Sequence, residues 1–301
     1  MRFMKVRVSA LLLVAVCGVL SSFAQEVDLA GLQARAAKGD AEAELELSRA
    51  YYSGKGVPKD LGKAADLLRQ SATRGNAEAM YGLGFIYHRG LGVPHDDTVA
   101  SQWFQKAADQ GVARAELELG LDYFHGENGV KLDYAAAAKY LTMAAQQKNA
   151  PDQSAPAANA LGNIYEHGLG VKVDGKQAVS WYTQAAELGS GKAKSNLGRV
   201  YQEAAVVKRD PILAYMWLKL AAFQGDPMAT HLLGEFMAAK DFTHEQMAEG
   251  DRRVEDYQEK HQQPVVTGPA PMAVEPGTVK MLRSMTNAAG ATAPGAAQPG
   301  H

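Results

Sequence analysis

The chain has 301 residues, of which 47% are hydrophobic and 21% charged, and its 31 basic and 33 acidic side chains give a net charge of −2. The hydrophobic fraction is sufficient for a packed repeat protein. The slightly negative charge argues against nucleic acid or an anionic membrane surface as the partner.

The first 24 residues are typical of a secretory signal peptide. Three basic residues precede an apolar run from Val8 to Leu20, and Ser22–Ala24 fits a small-x-small cleavage site. The run is shorter than the ~20 residues of a membrane span, with an uncleaved anchor and a lipid on Cys17 as the alternatives. Cleavage after Ala24 would remove the only cysteine, so no disulfide could form, and would change the net charge to −5. We therefore expect a periplasmic or secreted protein without a membrane span after cleavage.

From residue 25 to 255 the chain repeats a motif. Its tyrosines align five repeats, at steps of 36, 36, 42 and 36 residues: Tyr51, Tyr87, Tyr123, Tyr165 and Tyr201. Each repeat contains Leu-Gly-x-x-Tyr, then Gly-x-Gly-Val-x-x-Asp, then Ala-x-x-Trp-x-x-x-Ala-Ala, most completely from Ala79 to Gly111. A fixed period of this size indicates stacked helix pairs, in which the surface binds and the repeated residues form the scaffold.

Each repeated position has a physical reason. Leucine and tyrosine four residues apart mark one face of a first helix. The glycine after that leucine costs helix stability, which predicts that a second helix crosses very closely. The Gly-x-Gly turn ends the first helix. An aspartate then precedes each second helix as its N-cap, and the aromatic of the second helix supplies buried area beside the Ala-Ala pair; these aspartates are Asp60, Asp96, Asp133, Asp174 and Asp210.

The combination of these three motifs resembles the Sel-one-like repeat family, a relative of the tetratricopeptide repeats. The resemblance extends from about Asp28 to Gly250 and implies an all-α fold, a right-handed α-solenoid of about five helix-turn-helix repeats with partial capping helices. The first repeat departs from the pattern at Ser48 and Leu68, and the fifth lacks the Gly-x-Gly-Val turn, with Ala204 and Ala205 in that region.

Residues 262–301 differ in composition from the repeats. Six of the 12 prolines lie there, among alanine, glycine and glutamine. Such a segment buries too little apolar surface to fold, which predicts a disordered tail. A spacer at Asn149–Pro156 also interrupts the regular period.

The sequence offers no catalytic or metal-binding constellation. Gly189–Lys192 lacks the remaining residues of a phosphate-binding loop, and no second histidine follows His244-Glu245. His125 and His167 occupy matching positions in neighbouring repeats, too far apart for one metal ion. We therefore predict a non-enzymatic protein without metal or cofactor.

The resemblance also implies where a partner binds. In tetratricopeptide-like repeats the first helices line a concave groove, and the positions two and five residues on either side of the Leu-Gly leucine face it. The predicted groove residues are Leu45, Arg49, Tyr52, Tyr81, Phe85, His88, Leu117, Leu121, Phe124, Asn159, Asn163, Lys192 and Arg199, with Glu78, Arg114, Glu166, Ser195 and Gln202 at equivalent positions. The N-terminal half is apolar and aromatic and suits an amphipathic helix or an extended peptide; Lys192 and Arg199 could receive its carboxylate. The alternative is that Tyr81, Phe85, Leu117 and Leu121 pack against neighbouring first helices.

Three functions are compatible with this pattern. The favoured one is an exported protein–protein scaffold or adaptor that binds a protein of the cell envelope. The second is a glycan- or peptidoglycan-binding protein that uses aromatic platforms and asparagine amides. The third, a cell-wall or β-lactam hydrolase, has the least support because no catalytic motif is present. The sequence does not determine the oligomeric state.

Overall fold

The computed structural model describes residues 28–238 and 242–261, and within these parts the chain forms thirteen α-helices and no strand. The helices are α1 (Leu29–Ala36), α2 (Ala41–Ser53), α3 (Leu61–Thr73), α4 (Ala77–Arg89), α5 (Asp97–Ala108), α6 (Ala113–His125), α7 (Tyr134–Ala145), α8 (Pro151–His167), α9 (Gly175–Glu187), α10 (Gly191–Glu203), α11 (Pro211–Phe223), α12 (Pro227–Ala238) and α13 (His244–Lys260). This confirms the all-α repeat fold. The predicted signal peptide and the predicted disordered tail lie outside the described residues.

The chain divides between Val112 and Ala113 into two compact units. The first unit contains α1 to α5, and the second contains α6 to α13. Repeats 1 to 5 are the consecutive helix pairs that begin with α2, α4, α6, α8 and α10, so two repeats lie in the first unit and three in the second. The helices α12 and α13 follow the fifth repeat.

The predicted aspartate caps are confirmed in all five repeats. Each aspartate precedes a second helix in an extended conformation, and its carboxylate accepts hydrogen bonds from N–H groups of the first turn. In repeat 4, for example, Asp174 Oδ1 accepts from the amides of Lys176 and Gln177 at 2.9 and 3.0 Å. These bonds satisfy donors that otherwise have no partner at the start of a helix. The start of each second helix is therefore encoded locally.

The ends of the first helices are also encoded locally, with one exception. Gly168 ends α8 in the left-handed conformation at φ +66°, as the motif predicts. At the end of α10 the same role falls to Ala204, which lies at φ +57°. A side chain makes this conformation unfavourable. The fifth repeat therefore keeps the backbone of the motif although it lacks the glycine.

The close helix crossing that the helical glycines predict is confirmed, but the aromatic involved is not always the one the motif indicates. In repeat 4 the glycine Gly162 faces the ring of Tyr182, which is fully buried, whereas Trp181 is only partly buried. In repeat 2 the glycine likewise faces Phe104, the residue after Trp103. Because consecutive helical residues point about 100° apart, the residue after the tryptophan faces the first helix. That residue supplies the deepest packing.

The spacer of repeat 4 is part of a helix. The helix α8 begins at Pro151 and has 17 residues, whereas α10 has 13. Proline at the first helical position needs no hydrogen-bond partner, and the Ser154 hydroxyl lies 2.9 Å from the carbonyl of Ala144. The extra residues therefore lengthen the first helix of this repeat at its N-terminus.

Candidate functional site

The first unit presents aromatic side chains on its first helices. Tyr52 on α2 is 41% exposed, and Tyr81 and Phe85 on α4 are partly exposed. The Tyr81 ring lies 5.5 Å from that of Phe104, and the guanidinium of Arg89 lies 5.7 Å from the Phe85 ring. Tyr81 thus contributes to the scaffold, whereas Tyr52 and Phe85 offer apolar surface. We call Tyr52, Tyr81, Phe85, Arg49 and His88 the aromatic face.

Two predicted positions of this unit, Leu45 and His88, are less available to a partner. Leu45 is only 3% exposed and belongs to the core, because its side chain is enclosed by the helices of the unit. Nδ1 of His88 lies 2.8 Å from Oδ1 of Asp97, and Nε2 of His95 lies 3.2 Å from Oδ2 of the same carboxylate. The two histidines are thus held beside Asp97 at the edge of the aromatic face. Arg49 is exposed.

In the second unit the apolar side chains at the predicted groove positions are partly buried by packing within the unit. Leu117, Leu121 and Phe124 on α6 are partly buried against the core of this unit. The Phe124 ring lies 4.9 Å from the ring of His125 and 5.7 Å from that of Tyr134. These three side chains are therefore only partly available to a partner.

Several polar predicted positions of the second unit belong to a partly buried network. Arg199 on α10 lies 2.7 Å from Glu166 on α8 and 2.9 Å from Glu203, and the Tyr182 hydroxyl donates to Glu166 at 2.8 Å. Burial, together with the neighbouring Glu166 charge, raises the pKa of Tyr182 far above its usual range. The Tyr182 hydroxyl therefore stays protonated and donates its hydrogen bond.

This network changes what the predicted residues can do. Arg199 is neutralised by two carboxylates within the fold, so it is not available for a partner's carboxylate unless the network rearranges. The Asn196 amide donates to the side-chain oxygen of Asn159 at 2.9 Å, and Asn163 is partly buried. Lys192, in contrast, is exposed on the first turn of α10. The pairing of Glu166 with Arg199, 33 residues apart, could have been proposed because they lie five and two residues after the repeat leucines of neighbouring first helices.

A buried polar position recurs three residues before the repeat leucine. Glu44 is fully buried and accepts from Nε of Arg74 at 3.1 Å; Glu116, 1% exposed, accepts from the amide of Gln147 at 3.2 Å. Burial raises the pKa of Glu116, an effect that the Gln147 hydrogen bond partly offsets. In both repeats the partner lies 30 or 31 residues further along the chain. In these two repeats the buried polar group of the first helix is thus bonded to a side chain at the end of the second helix of the same repeat.

Lys194 occupies this same position in the fifth repeat and lacks such a match. Its side chain is 0% exposed, and Nζ has no hydrogen-bond partner among the described residues, Gln224 included. Nζ lies 5.6 Å from the ring centroid of Tyr257 on α13. Burial lowers the pKa of Lys194 to about 8. Neither the lysine nor the helix above it was among the residues predicted from the sequence.

The helix α13 packs against α11, the second helix of the fifth repeat. Asp251 lies 2.6 Å from Nζ of Lys219 and accepts from the Tyr215 hydroxyl at 2.8 Å. The Tyr257 hydroxyl donates to the carbonyl of Ala186 at 3.0 Å, and its ring meets Trp217 edge-on at 5.2 Å. The one signal for these contacts in the sequence is the pair Gly250 and Val254, which lie four residues apart on one face of an otherwise polar helix.

The described residues show neither a metal-binding cluster nor a helix that could cross a membrane. No group of three or more histidine, cysteine, aspartate or glutamate side chains converges in a way that could hold a metal ion. No helix within 28–238 and 242–261 combines the length and apolar character that crossing a membrane requires.

The stacked helix pairs and their matched polar positions define a helical-repeat protein. A family model, the Sel1 repeat, matches residues 41–76, 77–112, 113–149, 155–190 and 191–226, and the chain belongs to this family. Sel1 repeat proteins generally mediate protein–protein interaction and are typically non-catalytic. The resemblance to the Sel-one-like repeats is thereby confirmed. The matches leave out the spacer residues 150–154, and the helices α12 and α13 beyond residue 226.

Two solved structures are similar over most of the chain. A protective antigen of uropathogenic Escherichia coli strains, described as displaying an SLR fold, is 30% identical with a TM-score of 0.64 over 87% of this chain and 57% of that one. This chain thus spans little more than half the length of that relative. A Sel1 repeat protein from Oxalobacter formigenes is 26% identical with a TM-score of 0.65 over 82% of this chain and 99% of its own. A comparison with curated proteins finds no match.

Proposed function

We propose that this chain is an exported scaffold that binds a segment of a protein partner of the cell envelope, and that the aromatic face of the first unit is one of its contact surfaces. The observation that carries the proposal is the exposure of Tyr52, 41%, on the same unit as the partly exposed Phe85. Aromatic side chains with one exposed edge contribute much of the binding energy at protein interfaces. The family's general role in protein–protein interaction supports the same function.

Export is the second part of the proposal. It rests on the basic residues, the apolar run and the Ser22–Ala24 site at the N-terminus. If it is correct, a C-terminally tagged chain recovered from the periplasm or medium begins at Gln25. A recovered chain that begins at Met1 and stays in the cytoplasm would refute this part alone.

Binding of glycan or peptidoglycan and hydrolysis receive no comparable support. Of the two amides that the glycan-binding alternative would use, Asn159 already accepts a hydrogen bond from Asn196, and Asn163 is partly buried. A protein segment remains the best-supported ligand.

Site-specific photo-crosslinking tests the binding surface. We suggest incorporating p-benzoylphenylalanine at Tyr52 or Phe85 and, as the control, at Leu188, which is 40% exposed but lies at the end of a second helix. Both face positions should crosslink one and the same protein in the cell, and position 188 should not. A Phe85→Ala change should then weaken binding of that protein by about 5- to 30-fold, the effect of losing a central aromatic contact.

The control also defines failure. If Leu188 captures the same protein as efficiently as Phe85, the contact is not specific to the aromatic face. If Phe85→Ala binds the crosslinked protein as tightly as the unchanged chain, the aromatic face is not the binding surface.

A further inference from the structure

The helix α13 is held on the second unit by a narrow stripe. Of its 17 residues only Gly250, Val254 and Gln258 are buried, and Val254 is the one apolar side chain among them. Most of its other side chains are exposed or only partly buried. Elements with few buried apolar contacts open most readily in the native state. The stripe therefore makes α13 the most easily released element of those that cover the fifth repeat.

Two lysines lie beneath this helix. Lys219, 7% exposed, is paired with Asp251 of α13 at 2.6 Å. Lys194, 0% exposed, faces Tyr257 and has no hydrogen-bond acceptor within the described part of the chain. A buried ammonium group without a carboxylate or hydrogen-bond partner is energetically costly. The helix α13 thus provides a carboxylate for Lys219 and no hydrogen-bond partner for Lys194.

Two other repeats carry a polar side chain at this position, and both side chains have a partner. Glu44 and Glu116 occupy the equivalent buried position and each is bonded to a side chain of the following turn. Lys194 is the exception, and it lies under a helix that is outside the five Sel1 repeats. No described side chain supplies a carboxylate to Lys194.

We infer that α13 is a replaceable cover of a helix-binding site, and that the partner is an acidic amphipathic helix with one carboxylate for Lys219 and a second for Lys194. The site is formed by Lys194, Lys219, Tyr215 and Trp217. On the partner helix the second carboxylate takes the position that Tyr257 has in α13. It lies six residues after the partner residue that takes the position of Asp251. This inference rests on the proposed protein-binding function and names a second surface for it.

The charges around Lys194 agree with this occupant. At neutral pH a lysine whose pKa is about 8 still carries its proton for most of the time. The α13 ring over Lys194 is that of Tyr257, whose pKa burial and the Glu187 charge raise to about 12, and His261 stacks on that ring at 4.1 Å. Neither supplies a negative charge at neutral pH. A carboxylate at this place would form a charge-assisted bond to Nζ.

The test within the chain uses two substitutions of Tyr257. In the full chain Tyr257→Glu places a carboxylate beside Lys194, and Tyr257→Gln is the matched uncharged control. We expect the backbone amides of α13 to exchange hydrogen about 10-fold more slowly in the glutamate variant than in the glutamine variant at pH 7. The difference should vanish when both variants also carry Lys194→Met. Equal exchange in the two variants, or a difference that persists with Lys194→Met, would overturn the inference.

A peptide tests whether the cover is replaceable. Labelled peptides with the sequence of residues 244–261 and glutamate or glutamine at 257 are added to the full chain with Val254→Ala, in which α13 is held less tightly. The glutamate peptide should bind about 10-fold more tightly than the glutamine peptide and should accelerate exchange in α13 of the chain. An Asp251→Asn chain serves as a second loosened variant if Val254→Ala does not fold. Equal affinities, no binding, or binding without faster exchange in α13 each contradict a replaceable cover.

These outcomes are independent of the crosslinking test at Phe85. If Phe85 captures a partner and the peptides show no preference for glutamate, only the second surface fails. If the peptides behave as expected and Phe85 captures nothing, the aromatic face fails instead.

Discussion

The repeat glycines offer a matched pair of substitutions that measures how closely the helices approach. Gly162 and Gly234 both follow the repeat leucine within a helix. A Cβ at 162 would lie 2.5 Å from Cε1 and 2.8 Å from Cγ of Tyr182, whereas a Cβ at 234 would meet no described atom within 4 Å. The two positions thus share their local sequence and helical conformation and differ in tertiary contact.

The expected magnitudes follow from this difference. Replacing glycine with alanine within a helix stabilises it by about 1 kcal/mol, and forcing a methyl group into a packed contact costs about 1–3 kcal/mol. Tyr182 is 0% exposed and its hydroxyl is bonded to Glu166, so its ring has little freedom to move away. We expect Gly234→Ala to raise the free energy of unfolding by up to about 1 kcal/mol and Gly162→Ala to lower it by about 1–2 kcal/mol.

Urea unfolding followed by circular dichroism at 222 nm measures both effects. The midpoints should move in opposite directions with an unchanged slope, which keeps the comparison within one unfolding transition. If Gly162→Ala is as stable as Gly234→Ala, the glycine is not required by the helix crossing, and the packing argument for the four repeats that carry this glycine is wrong.

Three further predictions concern single positions. Ala204→Gly should raise the free energy of unfolding by about 1 kcal/mol, because Ala204 lies at φ +57° and glycine adopts that conformation without strain; no stabilisation in a urea titration would contradict this. Asp174→Ala should lower the unfolding free energy by about 1 kcal/mol and Asp174→Asn by much less, because asparagine can also cap the two amides; equal losses on calorimetry would mean that charge and not capping matters. Stability that depends on Lys194 should rise between pH 8 and pH 10.5, since its pKa in the folded chain is about 8 against a usual 10.5, so that the unfolded chain binds more protons in this range. The rise in the free energy of unfolding should reach at most about 3 kcal/mol and be absent from Lys194→Met. An identical pH profile for that variant would show that burial does not lower the pKa of Lys194.

The fold was largely predictable because its determinants are local. An aspartate before a helix binds amides within the next three residues, and a glycine after a helix ends it, so both act wherever the motif occurs. The sequence predicted that each helical glycine contacts a second helix closely, but it did not predict which side chain makes the contact. Trp103 was expected to be buried, yet Phe104 faces the glycine, because the rotation of the helix relative to its neighbour is set by packing and not by the motif.

The candidate site was less predictable. The periodicity placed Arg199 on the first-helix face, but its pairing with Glu166 depends on how two repeats stack. Leu45 shares the register of the other predicted face residues and is buried nevertheless. The aromatic face retains Tyr52 and Phe85 as exposed surface, and whether they bind a partner stays a prediction.

The sequence by itself determined the repeat length, the starts of the second helices and the family, because each depends on residues close together along the chain. Only the tertiary structure decided which charges are already paired and which is not. Lys194 differs from an exposed lysine such as Lys192 only in which side of α10 it occupies and in the helix that covers it. Burial and the absence of a partner are properties of neighbours distant in sequence, and the cost of an unpaired charge arises only when those neighbours exclude water.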